Sequence, residues 1–288
     1  MSAEELLLSA LDQRYEKYLI EYKHCRDEFS EEAVHQLRVT ARRLLALIEL
    51  LQEVTPSREL LKLRRTFKDQ LDSLDDLRDT QVMLTEIAST LKTLPELARV
   101  YTFLQKREKR LLTRAEFIVS DYKIDSLTSR MGNARKSLAK PVSLPDMEPQ
   151  LMAVVDNAWK KIKRRASRVD PAQPASIHRV RVVFKKFRYM VEIIHPLLPG
   201  FPEDQLKLMH AYQTAMGEIQ DVEVFLGVLA DFPTRHTSYD PRPVRHFYEL
   251  RHTELITTYI KNKSKFLIFW RKKPKNPFPW ETKEKDKQ

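Results

Sequence analysis

Apolar residues recur along most of this 288-residue chain every three or four positions, the period of a helix with one buried face. From Ala33 to Val54 they fall at Val34, Leu37, Ala41, Leu44, Ile48 and Leu51. Ser30 ahead of Glu31-Glu32-Ala33 supplies the start signal, a polar cap followed by acids in the first turn. Thr55-Pro56 ends that helix, and Pro56-Ser57 opens the next, which runs through Leu60, Leu63, Phe67, Leu71 and Leu74. The pattern predicts further helices at roughly 3–28, 77–93, 96–119 and 123–138, and again near 150–168, 175–195, 203–230 and 241–262.

Between the two series, residues 140–149 carry three prolines and read as a linker. The halves, 1–139 and 150–270, each read as a bundle of about four helices, so the fold class is all-α. The segment Phe266 to Trp270 either finishes the last helix or docks on the body. Residues 271–288 are basic, proline-containing and dense in charge, which predicts disorder.

Composition sharpens this picture. Only 4 glycines occur while Leu, Lys, Arg, Glu and Gln abound, which favours helix over sheet. A formal net charge of +11 points to a negatively charged partner without naming it. Cys25 is the single cysteine, so no intrachain disulfide forms and a structural zinc–thiolate site is not expected. No apolar stretch approaches a membrane span, and the acidic start, Met1 to Asp12, lacks the basic region of a signal peptide. A cytoplasmic protein with no membrane partner is the expectation.

One motif is written twice. Val34-His35-Gln36-Leu37-Arg38-Val39-Thr40-Ala41-Arg42-Arg43 returns as Ile177-His178-Arg179-Val180-Arg181-Val182-Val183-Phe184-Lys185-Lys186. In both copies a histidine is followed by arginine at +3 and a basic pair at +7 and +8. A second motif repeats in the same order: Asp76, Asp79 and Val82 correspond to Glu218, Asp221 and Val224. The chain is therefore an internal duplication.

On a helix, positions 0, +3 and +7 lie within about 60° of one another. His35, Arg38 and Arg42 thus form one cationic ridge, and His178, Arg181 and Lys185 another, with the packing face elsewhere. Arg43 and Lys186 flank the ridges, and Arg188 and Tyr189 extend the second. A duplicated set of cations calls for a duplicated anion site. Asp79 and Asp221 read as structural support, orienting an arginine or histidine or capping a helix start. Further basic lining could come from Lys62 and Arg65, from Arg107, Arg110 and Arg114, and from Lys160, Lys163 and Arg164.

The motifs His35-x-x-Arg38-x-x-x-Arg42-Arg43 and His178-x-x-Arg181-x-x-x-Lys185-Lys186-x-Arg188-Tyr189, with Arg78-Asp79 and Gln220-Asp221, resemble those of the CHAD family, the conserved histidine α-helical domain. The resemblance spans about residues 3 to 265. Leu45 departs from it, standing where the second copy has Arg188. The resemblance implies two pseudo-symmetric four-helix bundles whose basic faces line the surface between them. It also implies inorganic polyphosphate as the ligand and an association with polyphosphate granules. The Glu-x-Glu-x-Lys strand motif of the CYTH triphosphatases, sometimes joined to this domain, does not occur here, so the expectation is a binding module alone.

The sequence offers no Gly-rich phosphate loop, no His-Glu-x-x-His and no carboxylate cluster suited to magnesium. Neither enzyme activity nor a cofactor or metal is expected. A nucleic acid is the alternative partner, though only Phe184, Phe187 and Tyr189 lie near the ridges to stack on bases.

Overall fold

In a computed structural model of the chain, the residues described are 2–139, 147–232 and 239–281. Among them there are no strands, and the fold is all-α. Six helices occupy the first half: α1 (Ala3–Asp27), α2 (Glu31–Val54), α3 (Arg58–Ser73), α4 (Asp75–Thr90), α5 (Ala98–Ser120) and α6 (Ile124–Leu138). The second holds α7 (Met147–Ala166), α8 (Ala175–Ile194), α9 (Gln205–Asp231) and α10 (Arg242–Asn262), followed by a 3-10 segment, Lys263–Phe269.

Serine caps start the first three helices. Ser2, Ser30 and Ser57 accept from the backbone N–H of Glu5, Ala33 and Leu60, each satisfying a donor that the helix leaves free. The expected linker begins at Lys140, of which residues 140–146 lie outside those described; Met147, Glu148 and Pro149 belong to α7. Proline is tolerated there because the first turn needs no N–H partner.

The bundles are interleaved and not consecutive. One core joins α1, α2, α3, α6, α7 and α8 with the first half of α9 and the last turns of α5 and α10. The other is a four-helix bundle of α4, the start of α5, the second half of α9, and α10. The partition expected at 1–139 and 150–270 is thereby corrected: apolar faces of both halves meet in each core. Helix length explains this, since α9 with 27 residues spans about 40 Å and crosses from one core to the other.

The C-terminal segment also departs from expectation. Through Glu281 it is ordered against the body, with Phe278, Trp280 and Trp270 buried. The Arg271 guanidinium pairs with Asp156 at 2.6 Å, Trp270 donates to the same carboxylate at 2.7 Å, and Trp280 donates to the Pro199 carbonyl. Two tryptophans and a phenylalanine outweigh the charge density on which the expectation of disorder rested. Residues 282–288 lie outside those described. Phe266 and Phe269 dock on Trp159, Phe184 and Tyr212, which decides that Phe266–Trp270 packs on the body.

Candidate anion-binding groove

Helices α2, α3, α4, α8 and α9 enclose a groove at the junction of the two cores. Its centre is a hollow of about 460 Å³ lined by Arg38, Arg42, Asp75, Arg78, Asp79, His178, Arg181, Lys185 and Asp221, among others. It runs into a second hollow of about 430 Å³, which shares Arg42, Asp75, Arg181 and Lys185 and adds Arg64, Lys68, Lys186 and Tyr189. The two cationic ridges, one on α2 and one on α8, therefore open onto one space.

Arg42 and Lys185 fill the same position of the repeat and both line the shared part of the groove. Among the described residues, neither they nor Arg78 and Arg181 make an ion pair within 4.0 Å. The consequence falls on Lys185. Burial, then the charges of Arg42 and Arg181, lowers its pKa from an ordinary 10.5 to about 7, with Asp75 opposing the shift. An amine so depressed marks a buried site, and the contributions of Arg42 and Arg181 mark the surplus of positive charge around it.

Arg38 has a different role from the one its place in the ridge suggests. It is only 3% exposed. One Nη donates to the Leu71 carbonyl at 2.8 Å and the other to Asp75 at 2.6 Å. Leu71 lies in the last turn of α3 and Asp75 begins α4, and the Leu71 carbonyl also accepts from the Leu74 N–H, so the guanidinium ties together the two sides of the break at Leu74. Two of its donors are spent on the fold.

The flanking cations pair across the helices. Arg43 of α2 lies 3.5 Å from Glu192 of α8, and Lys186 of α8 lies 3.1 Å from Glu49 of α2. Arg43 corresponds to Lys186 in the repeat, and Glu49 to Glu192, so α2 and α8 make the same contact twice with the roles exchanged. That is the contact pattern of a local two-fold. Glu49 also holds Arg64, and Glu192 also holds Arg14 and Arg188. Arg188 is buried, donates to Gln213, and lies over the Tyr189 ring at 4.4 Å.

The histidines are not equivalent. His178 lines the groove, and its Nδ1 is buried without a hydrogen-bond partner. His35 is half-buried beside the groove, where burial and the charge of Arg78 depress its pKa, so at neutral pH it adds no charge. Asp79 and Asp221 come together where α4 meets α9. Burial raises both above the usual carboxylate range; Asp75 adds to the effect at Asp79, while Arg181 partly offsets it at Asp221. They face the cations across the groove from the helix interior, not as caps at helix starts.

Other expected basic lining divides. Arg107 approaches Asp76 at 3.7 Å near the groove rim. Lys62 pairs with Glu59 outside the groove, and Arg65 is exposed on a different face of α3; the lining from that helix is Arg64 and Lys68. Arg110 and Arg114 are exposed on α5 away from the hollows. Lys160 and Arg164 are exposed on α7, and Lys163 donates to the Lys272 carbonyl of the docked C-terminal segment, so this cluster lies outside the groove. Arg78 and Asp75 were not singled out as site residues from sequence. The one available signal for Arg78 was its neighbour Asp79, which already carried the repeat.

These features define an all-helical protein with a cation-lined groove between two bundles. The chain belongs to the CHAD domain family, whose defining pattern matches residues 9–230. Its fold is similar to the crystal structure of the CHAD domain from the plant Ricinus communis, at 18% identity and a TM-score of 0.68, over 93% of this chain and 90% of that one. It is also similar to PptA from Streptomyces chartreusis, at 17% identity and a TM-score of 0.65, over 92% of this chain and 98% of that one. No curated protein matches the chain. Among the described residues no helix is long and apolar enough to cross a membrane, and no three His, Cys, Asp or Glu side chains are grouped to hold a metal ion.

Proposed function

We propose that this protein binds inorganic polyphosphate in the groove and performs no chemistry on it. The observation that carries the reading is the convergence of Arg42, Arg78, Arg181 and Lys185 on one continuous hollow without ion-pair partners among the described residues, with Lys185 brought to a pKa of about 7 by burial and then by the charges of Arg42 and Arg181. Such a site gains most from a ligand that is itself a line of closely spaced negative charges. A linear polyanion has no sequence to read, so recognition rests on many charge-assisted contacts along a groove. Arginine suits bidentate contact with phosphoryl oxygens and lysine acts as a point charge. The family resemblance points to the same ligand, and granule association would follow from it.

Base readout is poorly supported by this surface. Phe184 and Phe187 are fully buried in the first core, and Tyr189 is covered by Arg188. The test is competition: polyphosphate bound to the protein is challenged with RNA at equal phosphate concentration, in a buffer of fixed salt. Polyphosphate is expected to stay bound, and displacement by RNA would transfer the groove to a nucleic acid. A phosphate-release assay with magnesium, manganese or zinc is expected to show no turnover.

A further inference from the structure

The two halves of the groove differ at one position that the duplication brings into register. Asp79 corresponds to Asp221 and Asp76 to Glu218, so Asp75 corresponds to Gly217. In the first half the Asp75 carboxylate takes the Arg38 guanidinium at 2.6 Å. In the second, the Arg181 guanidinium lies against Gly217: a Cβ there would stand 3.5 Å from its Nε and 3.6 Å from its Nη2. The second arginine thus lies against the residue that corresponds to Asp75, where no carboxylate stands; Asp221 shares the hollow and feels the charge of Arg181, but makes no ion pair with it within 4.0 Å.

We infer that the tightest phosphoryl seat of the groove is the Arg181–His178 corner, kept open because Gly217 stands where the first half has Asp75. This rests on the polyphosphate reading and narrows it to one subsite. Arg181 Nε and, one turn earlier on α8, His178 Nδ1 are both buried and lack partners among the described residues. Buried polar atoms are normally satisfied, and the Arg181 donor with the imidazole beside it, in the tautomer that carries the proton on Nδ1, fits next to Lys185 an anion with several acceptor oxygens better than a carboxylate with two. In the first half the same role is closed, since Arg38 is engaged by Leu71 and Asp75. A bound chain would therefore be gripped at the second-half corner and held more loosely past Arg42.

The test titrates inorganic polyphosphate onto the full chain and onto Gly217→Asp, with Gly217→Asn as a control of equal size and no charge. The space at Gly217 admits a Cβ at ordinary contact distance, and a helix-interior glycine is not needed for the backbone there. The aspartate is expected to engage Arg181 and lower affinity at least about tenfold, as loss of a charge-assisted contact does, with the asparagine variant losing about threefold or less. Equal loss in both variants, or none in Gly217→Asp, overturns the seat while leaving polyphosphate as the ligand. Absence of binding by the unmodified chain overturns both. Independently, Arg181→Gln is expected to cost more affinity than Arg38→Gln; the reverse order among folded variants also overturns the seat.

Discussion

Lys185 of α8 and Arg42 of α2, the same position in the two copies of the repeat, line one hollow with no carboxylate among the described residues within ion-pair distance of either. Burial first, then the charges of Arg42 and Arg181, bring the lysine down to a pKa of about 7. Two helix faces, one from each copy of the repeat, make a two-sided cation site, and the cost is visible at Lys185.

That cost sets a pH dependence. In the unfolded chain Lys185 takes up its proton near 10.5, whereas in the folded chain it does so only near 7. The unfolded state therefore binds more protons between these values, and stability without ligand rises as pH goes from about 7 toward 10. Subtracting the melting curve of Lys185→Met from that of the unmodified chain isolates this contribution. The difference is expected to favour the unmodified chain increasingly at higher pH, and a pH-independent difference contradicts the assignment.

The same group makes ligand binding proton-linked. A polyanion restores the charged amine, so affinity is expected to be higher at pH 6 than at pH 8.5, by at least about threefold. Binding near pH 7.5 takes up protons, which calorimetry in buffers of different ionisation enthalpy measures directly. Removing His35 should leave this linkage intact, because its pKa is depressed and it is neutral across most of the range.

Arg38 and Arg42 sit one turn apart on α2 but should separate in their effects. Arg38→Ala removes the clamp on the α3–α4 junction and is expected to cost about 2–3 kcal/mol in denaturant unfolding, as loss of charged hydrogen bonds does. Arg42→Ala, with no ion pair to lose, should change stability by about 0.5 kcal/mol or less. Its effect belongs to binding, where the salt dependence of affinity should become shallower by roughly one released counterion.

The C-terminal segment gives a second separation, between stability and binding. Truncation before Arg271 strips Phe278 and Trp280 from Trp270 and leaves Asp156 without its arginine. Burial of each aromatic contributes about 2–3 kcal/mol, so the melting temperature should fall by several degrees while polyphosphate affinity stays within about twofold. An unchanged melting temperature would show that the segment does not dock.

Much of this was legible in the sequence because the duplication copies chemistry and spacing together. Helical periodicity placed Arg42 and Lys185 on their ridges, and the apolar stripes gave the helices and the all-α class. What failed needed the third dimension. Arg38 lies in the ridge by spacing, yet the α3–α4 break brings Leu71 and Asp75 to it. Arg43 and Lys186 are cations by sequence and ion-pair partners by packing, because α2 crosses α8 with Glu192 and Glu49 facing them, whereas Arg188 pairs with Glu192 one turn along its own helix. On α3, Arg64 and Lys68 rather than Lys62 and Arg65 reach the groove, a matter of helix rotation that runs of basic residues do not reveal. Composition misjudged the C-terminal segment, since three well-placed aromatics decide its order. The interleaving of the bundles follows from the lengths of α5, α9 and α10, which apolar periodicity alone does not connect.

Charge on α7 provides a control. Lys160 and Arg164 are exposed outside the groove, so Lys160→Ala/Arg164→Ala should lower affinity by about twofold at most, through long-range attraction that vanishes at high salt. A larger loss would extend the binding surface to α7.

The central claim is tested most directly by calorimetric titration of inorganic polyphosphate onto the unmodified chain and onto Arg42→Ala/Lys185→Ala, both at pH 6.5 and fixed salt. Two charge-assisted contacts are removed from opposite walls of one groove, and affinity is expected to fall by about thirtyfold or more with the fold intact. Affinity unchanged within about twofold would contradict the groove as the binding site.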